Sequence, residues 1–249
     1  MAKAGYQVCD LEGGVLAWSA AGKGLIDIEK NEVDIFTTPS GKEVYFHALA
    51  HASFYIVYDE LNIYVDPVTR SGGKEFNYLM FPRANYVLLT HEHGDHFDRK
   101  ALSVMTNAQL VTNARCAEMT GYGTVMANGD ELQLRDDIKV EAVPAYNCTE
   151  GRTQFHPKGR DNGFILTLDG LRIYIAGDTE DVPEMADIKD IDVAFLPCNQ
   201  PYTMTPDQLV NAANIIKPKT VFPYHYSSTD VSVLPGLLPG TDVRIRQYQ

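Results

Sequence analysis

Apolar and aromatic side chains cluster, from Glu43 onward, into short runs separated by turn residues: EVYFHAL, SFYIVYD, LNIYVDP and ANYVLLT. Such β-branched and aromatic runs between turn signals predict strands. Asp98 can cap a helix through about Thr106, AQLVTN reads as a buried strand, and VMANGDELQL places an Asn-Gly turn between two strands. Further strands are predicted in IKVEAVPAYN, GFILTLDGLRIYIAGD and DVAFLPCN, with Asp169-Gly170 as a hairpin turn. The period then changes. In MTPDQLVNAANIIKPK, Thr205 is an N-cap with Gln208 three positions on, Pro206 occupies the first helical position, and Leu209, Ala212, Ala213 and Ile216 form one apolar face. Lys217-Pro218 ends this helix, and the strand TVFPYHY follows. A strand-rich first half and an alternating second half predict an α/β (α+β) chain, with sheets packed face to face and helices outside.

Composition narrows the function. The chain has 249 residues, 45% of them hydrophobic, which is room for a sizeable core. With 33 acidic against 21 basic side chains the net charge is -12, which repels phosphate backbones and anionic lipid surfaces, so neither nucleic acid nor membrane is expected as a partner. No stretch approaches the roughly 20 apolar residues that span a bilayer, and MAKAGYQVCD lacks an apolar core before a small-residue cleavage site. A cytoplasmic location is the expectation. Cys9, Cys116, Cys148 and Cys198 have no CxxC spacing and read as free thiols, buried or half-buried.

The chemistry concentrates in LTHEHGDHFD, where three of the chain's seven histidines lie between His91 and His96, directly after a strand and before a capped helix. Imidazoles and a carboxylate at a strand's end suit a first-row divalent ion such as zinc, manganese or iron. Alternate side chains of an extended segment point the same way, so His91 and His93 can share one ion while Asp95 and His96, beyond Gly94, turn to a second. Glu92 lies between two ligands and is expected to face away.

His91-Glu92-His93-Gly94-Asp95-His96 resembles the H-x-H-x-D-H signature of metallo-β-lactamase fold hydrolases, and the likeness extends over residues 43–249. It implies a four-layer αββα sandwich. The turn IAGDT resembles the strand-end aspartate that bridges two metals in the family, which assigns that role to Asp178, and PYHY puts His225 on the second metal. AHASFYI and IYVDP resemble one branch, which includes ascorbate-phosphate lactonases and N-acyl phosphatidylethanolamine phospholipase D. By that likeness Asp66 and His51 lie near the metals as outer-shell or substrate-side groups, although His51 reads equally as a satisfied strand histidine. His47 reads as structural. The branch places a third first-site histidine in a segment like P-A-x-H, whereas this chain has PAYN. Either His156, nine residues on, completes the site, or Asn147 occupies it; His156 is the favoured reading. Lys158 and Arg160 are candidate contacts to an anionic substrate.

The resemblance thus implies two divalent ions, zinc or manganese first and iron as an alternative. A metal-bridged hydroxide would hydrolyse a small ester, lactone or phosphodiester, with Asp178 and Asp95 as ligands at the reacting centre. Residues 1–24 resemble the C-terminal end of a rhodanese-like domain, in AGYQVCDLEGGVLAWSAAGKG, ahead of a hydrolase domain at 25–249. Their apolar side chains require cover by the same chain or by a second copy, so a homo-oligomer is one expectation. The same segment raises a second reading, a mononuclear iron persulfide dioxygenase; a third is a non-catalytic binding protein on this fold.

Overall fold

The computed structural model of the protein describes residues 33–248, so the rhodanese-like segment at 1–24 and Cys9 lie outside the described residues. Two seven-stranded sheets form the frame. The first runs β1 (Val33–Thr37), β2 (Glu43–Ala50), β3 (Ser53–Tyr58), β4 (Leu61–Val65), β7 (Tyr86–Leu89), β8 (Gln109–Thr112) and β9 (Thr124–Val125). The second runs β10 (Glu131–Arg135), β11 (Ile138–Ala145), β12 (Asp161–Leu168), β13 (Leu171–Ile175), β14 (Val193–Pro197), β15 (Thr220–Tyr224) and β16 (Asp242–Val243). A small ribbon, β5 (Arg70–Ser71) with β6 (Lys74–Glu75), sits in the connection from β4 to β7.

Both sheets follow one plan. Each begins as an antiparallel meander, β1 to β4 and β10 to β13, and continues in parallel through β4, β7, β8 and β9 or β13, β14, β15 and β16. The parallel strands β14 and β15 are buried at every position, as VAFLP and TVFPY require once both faces are covered. Between the sheets, Phe54 stacks on Phe195 at 4.1 Å between ring centroids and Phe46 on Phe222 at 6.4 Å, while Ile56, Ile63 and Leu88 face Ile173 and Phe164 in the same core. Helices α1 (Arg99–Ser103) and α2 (Ala114–Thr120) cover the outer face of the first sheet through Ala101, Leu102 and Cys116, packed with Tyr64, Val87 and Leu89. Helix α3 (Pro206–Ile216) covers the second through Leu209, Ala212, Ala213 and Ile216. This is the expected αββα order. A last turn of helix, α4 (Leu234–Leu237), follows β15.

The local signals act as their chemistry predicts. Thr205 and Gln208 form a reciprocal capping box on α3, and Lys217 closes it with φ 55°. Leu168 pairs with Leu171 across Asp169 (φ 47°) and Gly170 (φ 85°), the two positive φ values of a type I′ hairpin. Two expectations change. Helix α1 ends at Ser103, short of Thr106. The Asn128-Gly129 turn joins β9, at the edge of one sheet, to β10, at the edge of the other, and makes no hairpin. Asn128 Nδ2 donates to the Val143 and Asp161 carbonyls and to Asn162 Oδ1, which ties the crossing to the second sheet.

Candidate metal centre

The site is built where the parallel halves of both sheets end. Asp66 follows β4, Thr90 and His91 follow β7, Asp178 follows β13 through Gly177, and His225 follows β15. His51 lies in the turn between β2 and β3, and His156 in the loop between β11 and β12. Strand ends spend their last backbone hydrogen bonds in the sheet, so the next side chain can turn away from the sheet. Three of these residues, His51 (φ 56°), Asp66 (φ 41°) and His225 (φ 48°), hold the left-handed conformation that a Cβ disfavours. The strain is held in place by hydrogen bonds: His51 N–H donates to the Tyr248 carbonyl, and His225 N–H donates to the His51 carbonyl at 2.9 Å.

Two four-residue clusters result. In the first, His91, His93, His156 and Asp178 each bring one donor atom within 4.8 Å of the others. His93 Nδ1 lies 3.1 Å from both His91 Nε2 and His156 Nε2, and Asp178 Oδ2 lies 3.3 Å from His156 Nε2 and 3.8 Å from His91 Nε2. In the second, His51, Asp95, His96 and His225 converge in the same way. Asp95 Oδ2 lies 3.0 Å from His51 Nε2, 3.4 Å from His225 Nε2 and 4.0 Å from His96 Nε2. Asp178 reaches this cluster as well, with Oδ2 3.3 Å from His225 Nε2 and Oδ1 3.3 Å from His96 Nε2.

These residues fit divalent metal ions. Donors held about 2.0–2.3 Å from one tetrahedral ion stand roughly 3.3–3.8 Å apart, close to the spacings found. His96 Nε2, His225 Nε2 and Asp178 Oδ1 are buried and lack any hydrogen bond, a state that costs free energy unless something else binds them. The donor set, imidazole with carboxylate and no thiolate, suits zinc, manganese or iron.

The surrounding groups fix the donors. Asp66, fully buried, accepts from Thr90 N at 2.8 Å and Thr90 Oγ1 at 2.7 Å, and lies 2.7 Å from His96 Nδ1, which leaves His96 Nε2 for the cluster. Burial would lift the Asp178 carboxyl, but His225 and His96 outweigh it and hold it well below the usual carboxylate range. Burial likewise opposes charge on His225, yet Asp178 and Asp95 push it up to about 9. His96 is raised despite its burial, by Asp178 and Asp66. In the first cluster burial prevails, and His91 and His93 fall below the ordinary imidazole value.

Every sequence-predicted donor except Asn147 therefore stands in a cluster. Asn147 stands behind His156, its Oδ1 2.6 Å from His156 Nδ1. His51, expected to be an outer group or a core residue, is within the second cluster. The two candidate substrate cations are engaged elsewhere: Lys158 Nζ lies 2.6 Å from Glu184 Oε1, and Arg160 clasps Asp161 at 2.7 and 2.8 Å and lies 3.3 Å from Glu92. Glu92 thus faces away as expected. His47 stacks on Tyr55 at 4.3 Å, a packing role. Cys116 and Cys198 are buried free thiols, while Cys148 is exposed. Sequence reasoning missed Thr90 and Glu180. Glu180 follows Asp178 by two positions and, fully buried, accepts from the Cys148 and Thr149 backbone N–H groups at 2.8 and 2.6 Å. A second acidic residue two positions after a ligand was the available signal.

Comparison with known proteins bears on the family and the fold. The model of the beta-lactamase superfamily domain matches residues 43–225. A UPF0173 metal-dependent hydrolase of Pyrococcus abyssi is 32% identical over 192 residues, covering 72% of this chain and 83% of the relative, and one of Thermococcus onnurineus is 30% identical over 191 residues with the same coverage. Among solved structures, a metal-dependent hydrolase candidate from Parabacteroides distasonis is 49% identical with TM-score 0.84, covering 88% of this chain and all of that one. Igni18, a metallo hydrolase of Ignicoccus hospitalis, is 26% identical with TM-score 0.71, over 82% of this chain and 95% of that one.

Proposed function

Because the chain belongs to the beta-lactamase superfamily, and within it to the UPF0173 metal-dependent hydrolases, we propose that it holds two divalent ions in the two clusters and hydrolyses a small carboxylic ester or lactone. The observation that carries this reading is the placement of Asp178, whose carboxylate lies against donors of both clusters, 3.3 Å from His156 and 3.3 Å from His225. Zinc or manganese bound there would supply Lewis acidity to a carbonyl oxygen and bring the pKa of water from 15.7 to about 7.

The chain's own groups do the remaining work. His91, His93 and His156 are imidazole donors on one side, His51, His96 and His225 on the other, and Asp178 spans them. Asp95 links the second cluster to solvent, with 47% of its side chain exposed, and His225 and His51 hold it ionised despite its burial, so it is the acid-base group placed to take a proton from the attacking water and then hand it to the departing alkoxide. Beside it opens a cavity of about 470 Å³, lined by His51, Ser71, Gly72, Asp95, Ser227, Ser228 and Tyr248. Among the described residues no Lys or Arg lines it, and Lys158 and Arg160 are committed to carboxylates of the protein. A neutral, hydroxyl-bearing substrate therefore suits the opening better than a phosphodiester.

The other two readings fare less well. A single-iron persulfide dioxygenase would leave the complete second cluster without a role. A non-catalytic protein had PAYN as its support, and His156 makes good that substitution. The test is zinc titration of the metal-free protein with wild type, His156→Ala and His225→Ala, followed by assay on aryl esters, γ-lactones and bis(p-nitrophenyl) phosphate. Two equivalents in wild type, one in each variant, and turnover confined to esters or lactones are expected; a single equivalent in wild type, or phosphodiester turnover above ester turnover, would refute the reading.

A further inference from the structure

His156 reaches the first cluster from the loop between β11 and β12, not from a strand end. Something must hold the ring. The loop folds back on itself at Asn147, which is buried with His156, each about 1% exposed. Asn147 uses three groups at once. Its backbone N–H donates to the His156 carbonyl at 2.9 Å, its Oδ1 lies 2.6 Å from His156 Nδ1, and its Nδ2 donates to the Tyr202 carbonyl at 2.8 Å.

These contacts determine where the imidazole proton sits. A backbone carbonyl can only accept, so the Tyr202 oxygen fixes the amide with its nitrogen outward and its oxygen toward His156. An amide oxygen can likewise only accept. His156 Nδ1 must then carry the proton, and Nε2 presents its lone pair toward His93 and Asp178, 3.1 and 3.3 Å away. An isolated neutral histidine has no such constraint and can place its proton on either nitrogen.

We propose that Asn147 is a positioning residue that locks His156 as the Nδ1–H tautomer, through the amide relay Tyr202 carbonyl–Asn147–His156, and so converts a loop histidine into a preformed donor of the first metal site. The inference rests on the metal-centre reading for its purpose, but the tautomer is a property of the metal-free protein. It also accounts for PAYN: the asparagine stands where it can orient a histidine supplied nine residues later, and the pair does together what one ligand side chain would do alone.

The primary experiment is nitrogen-15 NMR of the imidazoles in metal-free protein, with His156 assigned by its absence in His156→Ala. Wild type is expected to show His156 protonated at Nδ1; protonation at Nε2 would overturn the proposal without any variant. Asn147→Ala removes the acceptor, and tighter selection of one tautomer is expected to give way to a mixture, with zinc affinity of the first site falling 10–100-fold, the range for lost orienting partners. Asn147→Asp keeps an oxygen toward Nδ1 and is expected to preserve the tautomer, but it loses the donor to the Tyr202 carbonyl and is expected to recover only part of that loss. Unchanged tautomer and unchanged first-site affinity in Asn147→Ala refute the lock. Zinc bound with full affinity and no ester turnover would count against the hydrolase reading and leave the lock standing.

Discussion

Replacing Glu180 tests whether the loop that delivers His156 is fastened at its root. The carboxylate is fully buried, and Oε2 accepts from two consecutive backbone N–H groups, Cys148 at 2.8 Å and Thr149 at 2.6 Å; Arg152 Nη1 lies 3.4 Å from Oε1. Beside it, Thr179 Oγ1 donates to the Tyr146 carbonyl and Glu180 N–H to the same oxygen, so the segment after Asp178 grips the start of the loop. Glu180→Ala leaves two part-buried donors without partners. At about 1–3 kcal/mol each the loss is at most about 2–6 kcal/mol, a large part of a typical 5–15 kcal/mol stability. Glu180→Gln keeps one accepting oxygen and loses the charge, and should cost about 1–2 kcal/mol. Burial opposes ionisation of Glu180, but the N–H groups of Thr149 and Cys148 outweigh it and lower its pKa. A depressed folded pKa means that this stabilisation is present above the unfolded value of 4.5 and fades as pH falls through the folded one, so the gap between wild type and Glu180→Gln should close below about pH 4.5. Urea unfolding at pH 7 and pH 4, hydrogen exchange across residues 146–160 and zinc titration provide the assay. Less than about 1 kcal/mol lost in Glu180→Ala, with exchange and zinc affinity unchanged, would refute the argument.

Two shorter predictions concern proton competition and backbone space. His225, raised to about 9, and His96, also raised, must release protons to bind metal, whereas His91 and His93 are lowered and already neutral above the ordinary value of 6.5. Zinc affinity of the second cluster should therefore rise by about tenfold per pH unit for each proton displaced, up to pH 9, while the first stays flat; calorimetric titrations at pH 6.5 and 9 that show equal slopes for both equivalents would contradict this. Gly177 sits at φ +66° before Asp178, and an added Cβ would lie 2.9 Å from the Asn162 carbonyl oxygen and 3.4 Å from Thr90 Cβ. Gly177→Ala should cost about 2–4 kcal/mol in thermal unfolding, from the left-handed backbone and the contact with an oxygen that cannot retreat from its strand; a cost below about 1 kcal/mol would mean the strand ends yield more than the packing implies.

The fold was legible in proportion to how local its causes are. The capping box of Thr205 and Gln208, the apolar face of α3 and the Asp169-Gly170 hairpin each depend on neighbours in sequence, and each formed as read. The Asn128-Gly129 turn shows the limit. Its own residues specify a reversal, but whether the strands on either side pair with each other depends on which sheet has an open edge, and β9 and β10 went to different sheets.

The metal centre divides along the same line, with a consequence for how such sites are read. His91, His93, Asp95 and His96 lie together in sequence and in space, so their spacing already separates two sets of donors. Asp178 and His225 became readable through family resemblance, since nothing local marks a lone strand-end aspartate. His51 was ambiguous because its role is set by a backbone at φ 56°, held by the Tyr248 carbonyl almost 200 residues away, and no propensity at AHAS encodes that contact. Asn147 presents the opposite case: the sequence posed it against His156 as a rival for one position, and the structure places them in series, the amide behind the ring. Two polar residues that compete for one ligand position in a sequence can thus be donor and support. An asparagine that falls short of the donor cluster can still act on it by fixing a proton on the histidine that reaches it.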